Sequence, residues 1–280
     1  AYTVKLQGLA GGHSGVDIHL QRGNAVQLLA RLLRDAGLSG GLAGIQGGNK
    51  HNAIPREAWA TVVMPEASAS ERLAQLRANA EAVREEFRVP EPGMELGIDQ
   101  GAVPERLWAS DIGARVLDLL VALPHGVVAM SNDIAGLVET STNLAAVKHD
   151  ADTLQVLTSS RSSVASGMEW IRAKIEAVAA LAGAEAHHHD GYPGWKPDLD
   201  SELLAVVRAV HERVLGLEPH VEAIHAGLEC GLIGEMVPGM DMISFGPQIE
   251  FPHSPGERVK VDSVERFYRL LTETLRALAE

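Results

Sequence analysis

The 280 residues read as an α+β layer of mostly antiparallel strands and helices, over roughly residues 1–189, followed by an α/β fragment over 190–280. Three observations predict this. Short alternating segments and helical stripes follow one another up to a polar stretch at 187–189. The segment HHHDGYPGWKP, His187 to Pro197, then turns from polar to Gly-, Pro- and aromatic-rich, as a boundary does. Beyond it the patterns call for three helices but only two strands, too few for a comfortable sheet.

Residues 2–8 alternate as a strand, and Gly8 to Gly15 is a glycine-rich turn carrying His13. Gln21 to Ala36 is predicted helical, with Ala25, Leu28, Leu29, Leu32 and Leu33 on one face. Leu42 to Gln46 and Ala58 to Met64 read as strands, the first followed by a Gly47-Gly48 turn. A helix capped by Ser68 or Ser70 runs to Phe87, with Leu73, Leu76, Ala80 and Val83 inward. Pro90 and Pro92 stop it, and Met94 to Ile98 is a further strand. Ser110 to Leu123 is a helix ended by Pro124. Gly126 to Met130, Val138 to Lys148 and Thr153 to Ser159 are strands, the last two a hairpin. Val164 to Ala182 is a helix stopped by Gly183. In the second part, Ser201 to Leu215 is a helix with Leu203, Leu204, Val207, Val210 and Val214 inward. Val221 to Ile224 and Asp241 to Phe245 are its strands, His225 to Ile233 a turn into a helix, and Ser263 onward the last helix.

Composition narrows the partners. With 46% hydrophobic and 22% charged residues this is an ordinary globular chain. A net charge of −13 repels nucleic acid and anionic membranes. No apolar run has transmembrane length, no signal peptide is visible, and the one cysteine, Cys230, excludes an internal disulfide. A cytoplasmic protein fits. The chain starts at Ala1 inside a strand-like AYTVKLQGL, which reads as an excised or processed segment.

Some residues stand where ligands bind. His253, in FPHSP, lies on a loop after the strand ending at Phe245 and before the last helix, the usual ligand side of α/β sheets, although a lone loop His is more often simply solvated or hydrogen-bonded. Arg161, in TSSRSS, ends a strand just ahead of a helix start, where the helix dipole disfavours a cation. Others have plainer readings. His13 in GGHSG and Asn52 in NAIP are ordinary turn residues on spacing alone. Glu229 suits a helix N-terminus. His188-His189-Asp190 sits in a polar linker, Glu85-Glu86 on a charged helix face, and Cys230 reads as a core thiol.

The segments GLAGGHSGVDIHLQRGNA, NKHNAIPREA, VETSTNLAAV, GYPGWKPD, HAGLECGLI and FGPQIEFPHSPGERV together resemble the dinuclear-zinc exopeptidase family of carnosinase and carboxypeptidase G. Within it they are most similar to the bacterial aminoacyl-histidine dipeptidase branch (peptidase D). The resemblance implies that residues 1–187 are a lid, or dimerisation, domain and 190–280 the C-terminal portion of the catalytic domain. It implies that His13 reaches into the partner subunit's cleft of a homodimer and stabilises the tetrahedral oxyanion, a donor worth about 3 kcal/mol. By the same resemblance Asn52 would contact the substrate, Arg161 would clamp its C-terminal carboxylate, Gly227 and Glu229 would border the cleft, and His253 would be a zinc ligand. The implied activity is hydrolysis of Xaa-His dipeptides such as β-alanyl-histidine by a zinc-activated water. Such a centre takes two zinc ions and about five protein ligands, plus a Glu base. Only His253 matches, so the chain alone is expected to be incomplete and inactive. The alternatives are a non-catalytic dimerisation module and an acyl-amino-acid hydrolase of the same family.

Overall fold

The computed structural model describes residues 1–279 apart from 133, 151, 190, 192–193, 196–197, 222–228 and 251–255. The chain divides after Gly191 into two compact units.

In the first unit the elements follow the sequence patterns closely. Strand β1 (Tyr2–Gln7) leads to the two-residue strand β2 (Gly12–His13) and helix α1 (Ala25–Asp35). Then come β3 (Leu42–Gly47), β4 (Ala53–Ile54), β5 (Ala58–Val62), helix α2 (Glu66–Glu86) and β6 (Glu95–Gln100). Helix α3 (Ser110–Ala122), strands β7 (Gly126–Met130), β8 (Val138–His149) and β9 (Leu154–Ser162), and helix α4 (Ala165–Leu181) complete it.

Seven of these strands form one antiparallel sheet in the order β6-β1-β5-β3-β8-β7, with β9 on the other side of β8. Alternation sends Val4 and Leu6 of β1, Ile45 of β3, and Ala58, Ala60 and Val62 of β5 into one core. The predicted α1 stripe, Ala25, Leu28, Leu29, Leu32 and Leu33, packs onto it. Leu76, Ala80 and Val83 of α2 and Leu117 and Leu120 of α3 join the same cluster.

Two helix starts differ from the sequence reading. Helix α1 begins at Ala25, not Gln21, because the Asn24 side chain caps it by accepting from the Val26 and Gln27 N–H groups. Gln21 instead takes a left-handed conformation, φ 52°. Helix α2 begins at Glu66, ahead of both candidate serines. Pro65 occupies the cap, Glu66 places negative charge in the first turn, and the Ser68 hydroxyl donates to the Pro65 carbonyl, 3.1 Å.

The second unit holds α5 (Glu202–Leu215), α6 (Glu229–Met236), the short strands β10 (Ile249–Glu250) and β11 (Arg258–Val259), and α7 (Val261–Ala279). Helices α5 and α7 pack through Val207, Val210 and Leu270, with Ile243 and Phe245 against them. The strand expected at Asp241 to Phe245 does not form. Its alternation is real, since Ile243 and Phe245 face the small core, but no neighbouring strand among the described residues offers a ladder. Asp241 instead caps α5: its carboxylate accepts from the Ser201 hydroxyl, 2.5 Å, and the Leu203 N–H, 2.9 Å. Those bonds hold the Asp241 carboxyl below its ordinary pKa. Of the other expected strand, Val221 is not in one, and Glu222 to Ile224 lie outside the described residues. Among the described residues no helix is long and apolar enough to cross a membrane.

Candidate active site

The glycine-rich segment after β1 is pinned before it reaches His13. The carboxylate of Glu91, wholly buried, accepts the Ala10 N–H at 2.6 Å and the Gly23 N–H at 2.8 Å. Gly12 has φ 141°, and a Cβ there would collide with the side chains of Arg22 and Asp17. The glycines therefore let the segment close on its own neighbours. Arg22 donates to the Gly11 carbonyl, 2.6 Å, and lies 3.6 Å from Asp17. Asp17 in turn accepts the His13 backbone N–H, 2.8 Å.

His13 is half-buried, and its ring is oriented by its own loop. Nδ1 accepts the N–H groups of Gly15 and Val16, both at 3.2 Å. A ring nitrogen that accepts two N–H groups carries no proton, so the neutral imidazole keeps its hydrogen on Nε2. His13 is thereby set up as a hydrogen-bond donor.

Strands β2 and β4 pair His13 with Ala53, and the Ser14 N–H donates to the Asn52 carbonyl, 2.8 Å. The structure thus brings His13 and Asn52 side by side, although they lie 39 positions apart in sequence. The Asn52 turn is fastened to the main sheet by Asn143 of β8, whose Nδ2 donates to the carbonyls of His51, 3.3 Å, and Ala53, 2.8 Å.

Arg161 lies on β9 opposite Ser141, and Asn143 lies opposite Ser159. Paired residues share a face, so Ser141, Asn143, Ser159 and Arg161 stand on one side of the β8–β9 hairpin. Thr140, Thr142, Ser160 and Ser162 occupy the other, where Thr140 bonds Ser162 and Thr142 bonds Ser160, each at 2.9 Å. Arg161 is half-buried, and its Nε has no hydrogen-bond partner. Burial pushes its pKa below the ordinary guanidinium value. A desolvated guanidinium with an unused donor is suited to an incoming carboxylate.

Glu229 is the first residue of α6 and is exposed, in the second unit. Gly227 and His253 lie outside the described residues. Cys230 is half-buried, not a core thiol. The linker and helix-face residues have partners of their own: Glu85 with Arg88 at 3.1 Å, Glu86 with Arg31 at 2.9 Å, and His188 with Glu176 at 2.5 Å. Sequence reasoning passed over Asn143, Glu91, Asp17 and Arg22. The signal for Asn143 was present: Thr140 to Asn143 is a polar run directly ahead of the apolar Leu144 to Val147, and all four polar residues are buried.

The sequence pattern of Peptidase family M20/M25/M40 matches residues 25–277. The chain belongs to this family. Its similarity to other peptidases extends ahead of that range, over the segment that carries His13. The cytosol non-specific dipeptidase of Escherichia coli (strain K12) is 36% identical over 279 residues, covering 99% of this chain and 58% of that protein. The crystal structure of aminoacylhistidine dipeptidase from Vibrio alginolyticus superposes with a TM-score of 0.90 at 40% identity. That match covers 99% of this chain and 57% of the Vibrio one. The chain thus spans a little over half the length of these M20/M25/M40 relatives.

Proposed function

We propose that this chain supplies the lid and the C-terminal catalytic portion of a metal-dependent dipeptidase acting on Xaa-His peptides such as β-alanyl-histidine. Residues 1–187 are the lid through which two copies pair, and residues 190–280 belong to the catalytic domain. The observation that carries the reading is the His13 imidazole, held as an Nε2–H donor beside Asn52 in a chain similar to two dipeptidases. The names of those relatives support a dipeptide substrate, and the Vibrio one a C-terminal histidine. The name of the Escherichia coli protein supports a cytoplasmic setting.

In this reading the Arg161 guanidinium takes the C-terminal carboxylate of the peptide. The Asn52 amide orients the peptide bond, and Gly227 and Glu229 border the cleft. His13, from the partner's lid, donates its Nε2 proton as a hydrogen bond to the oxyanion that forms at the scissile carbonyl. That bond strengthens as charge develops, so it acts on turnover more than on binding. His253 would be one of the residues that hold zinc, which when bound would supply the activated water. The described residues alone do not make a metal centre, since no three His, Cys, Asp or Glu side chains among them come together. The further ligands and the base are expected from the rest of the family's length, and without them the chain is inactive.

Arg161 gives the test of the substrate class. In the complete zinc-loaded enzyme, Arg161→Ala should raise KM for β-alanyl-histidine on the order of 10²-fold with kcat little changed. The same variant should no longer distinguish the free-acid dipeptide from its C-terminal amide. Steady-state release of histidine measures both. Wild-type enzyme that cleaves the amide as well as the acid would remove the carboxylate clamp from the account.

A further inference from the structure

Asn143 makes contacts that the proposed reaction does not yet use. It is wholly buried on β8, with no exposed surface. Its Nδ2 donates to two carbonyls, those of His51 and Ala53, which flank Asn52 on either side. Two carbonyl partners fix the orientation of the amide, because an oxygen in that place would face two other oxygens. Oδ1 therefore points away, and it is buried with no hydrogen-bond partner.

A buried acceptor left without a donor is costly and offsets much of what the two Nδ2 bonds contribute. An apolar side chain in the same place would avoid that cost but leave the His51 and Ala53 carbonyls without this donor. What Asn143 does achieve is geometric. It clamps the turn 50–53 at both peptide groups around Asn52, while Ser14, next to His13, donates to the Asn52 carbonyl. One side chain thereby ties the His13–Asn52 pair to the strand that faces Arg161 across the β8–β9 ladder.

We propose that Asn143 is the positioning residue that sets Asn52, and through β4 the His13 strand, in register with Arg161 for the dipeptide. This rests on the dipeptidase reading for its kinetic consequence, but the clamp itself is testable without it. In the complete enzyme, Asn143→Ala should lower kcat/KM for β-alanyl-histidine about 10²-fold, the usual penalty for a small misplacement of a substrate-holding group. Made on top of Asn52→Ala, it should cost clearly less than it does alone, because part of its effect passes through the Asn52 amide. Independent, multiplying effects of the two would overturn the proposal.

Amide hydrogen exchange of the 280-residue chain decides the structural half. Asn143→Ala should speed exchange at Ser14, whose N–H is held by the Asn52 carbonyl, and leave the amides of α1 protected. Unchanged protection at Ser14 would sink the clamp. Should the alanine variant fail to fold, Asn143→Ser serves in both arms, since its hydroxyl cannot reach both carbonyls. Absence of dipeptide cleavage by the complete wild-type enzyme would count against the dipeptidase reading alone, and the exchange result would still judge Asn143.

Discussion

His125 precedes β7 and sits against the cap of α1, where Asn24 Nδ2 lies 3.3 Å from its Nδ1. Asn24 Oδ1 is committed to the Val26 and Gln27 N–H groups, so the amide nitrogen is the donor and the imidazole accepts. Burial lowers the His125 pKa from 6.5 to about 4. The folded ring therefore stays neutral where the unfolded chain already binds a proton. Above pH 6.5 the two states hold the same number of protons here and the residue adds no pH dependence. As pH falls from 6.5 towards about 4 the unfolded state gains a proton that the folded state refuses, so stability falls. Urea midpoints at pH 7 and pH 5 should show a loss that is smaller in His125→Asn than in wild type. An equal loss in both would place the acid sensitivity elsewhere. The same residue-level logic applies to His13, whose tautomer is set by two backbone N–H groups.

At the scale of elements, the caps and the short ladders matter most. Asn24 caps α1 and donates to the Leu144 carbonyl of β8 at 2.8 Å, joining helix to sheet in the buried interior. Asn24→Ala should cost about 1 kcal/mol for the lost cap. The unpaired Leu144 carbonyl should add about 1–3 kcal/mol more. Denaturant unfolding of the first unit checks the sum, and a loss no larger than that of an exposed cap would contradict the helix–sheet link. The long elements were legible in the sequence because their apolar periods are unbroken: Leu28, Leu29, Leu32 and Leu33 fix α1, and alternation fixes β1 and β5. The ladder of β2 and β4 was not legible. Two residues carry no period, and the pairing of His13 with Ala53 depends on a turn held from outside by Asn143. The stretch at Met242 to Phe245 misled for the opposite reason. It has strand-like apolar residues, but they serve a helix–helix core. Of the proposed site, His13, Asn52 and Arg161 came from family resemblance, Asn143 left a polar run in its strand, and Glu91 and Asp17 emerge only from the fold.

At the scale of the molecule, the first unit is a scaffold that holds a donor, an amide and a guanidinium on positions far apart in sequence. In the proposed dimer that donor serves the neighbouring subunit. Mixing His13→Ala chains with His253→Ala chains should then restore part of the lost activity, because one composite site per mixed dimer keeps both groups. Mixed dimers that form and stay inactive would put His13 in its own subunit's cleft. The central claim, that His13 stabilises the transition state of peptide hydrolysis, is tested most directly by steady-state kinetics of His13→Ala on β-alanyl-histidine in the complete enzyme. The account predicts a fall in kcat of roughly 10²–10³-fold, with zinc content and folding unchanged. A kcat close to that of wild type, in an enzyme that retains its metal, would contradict it.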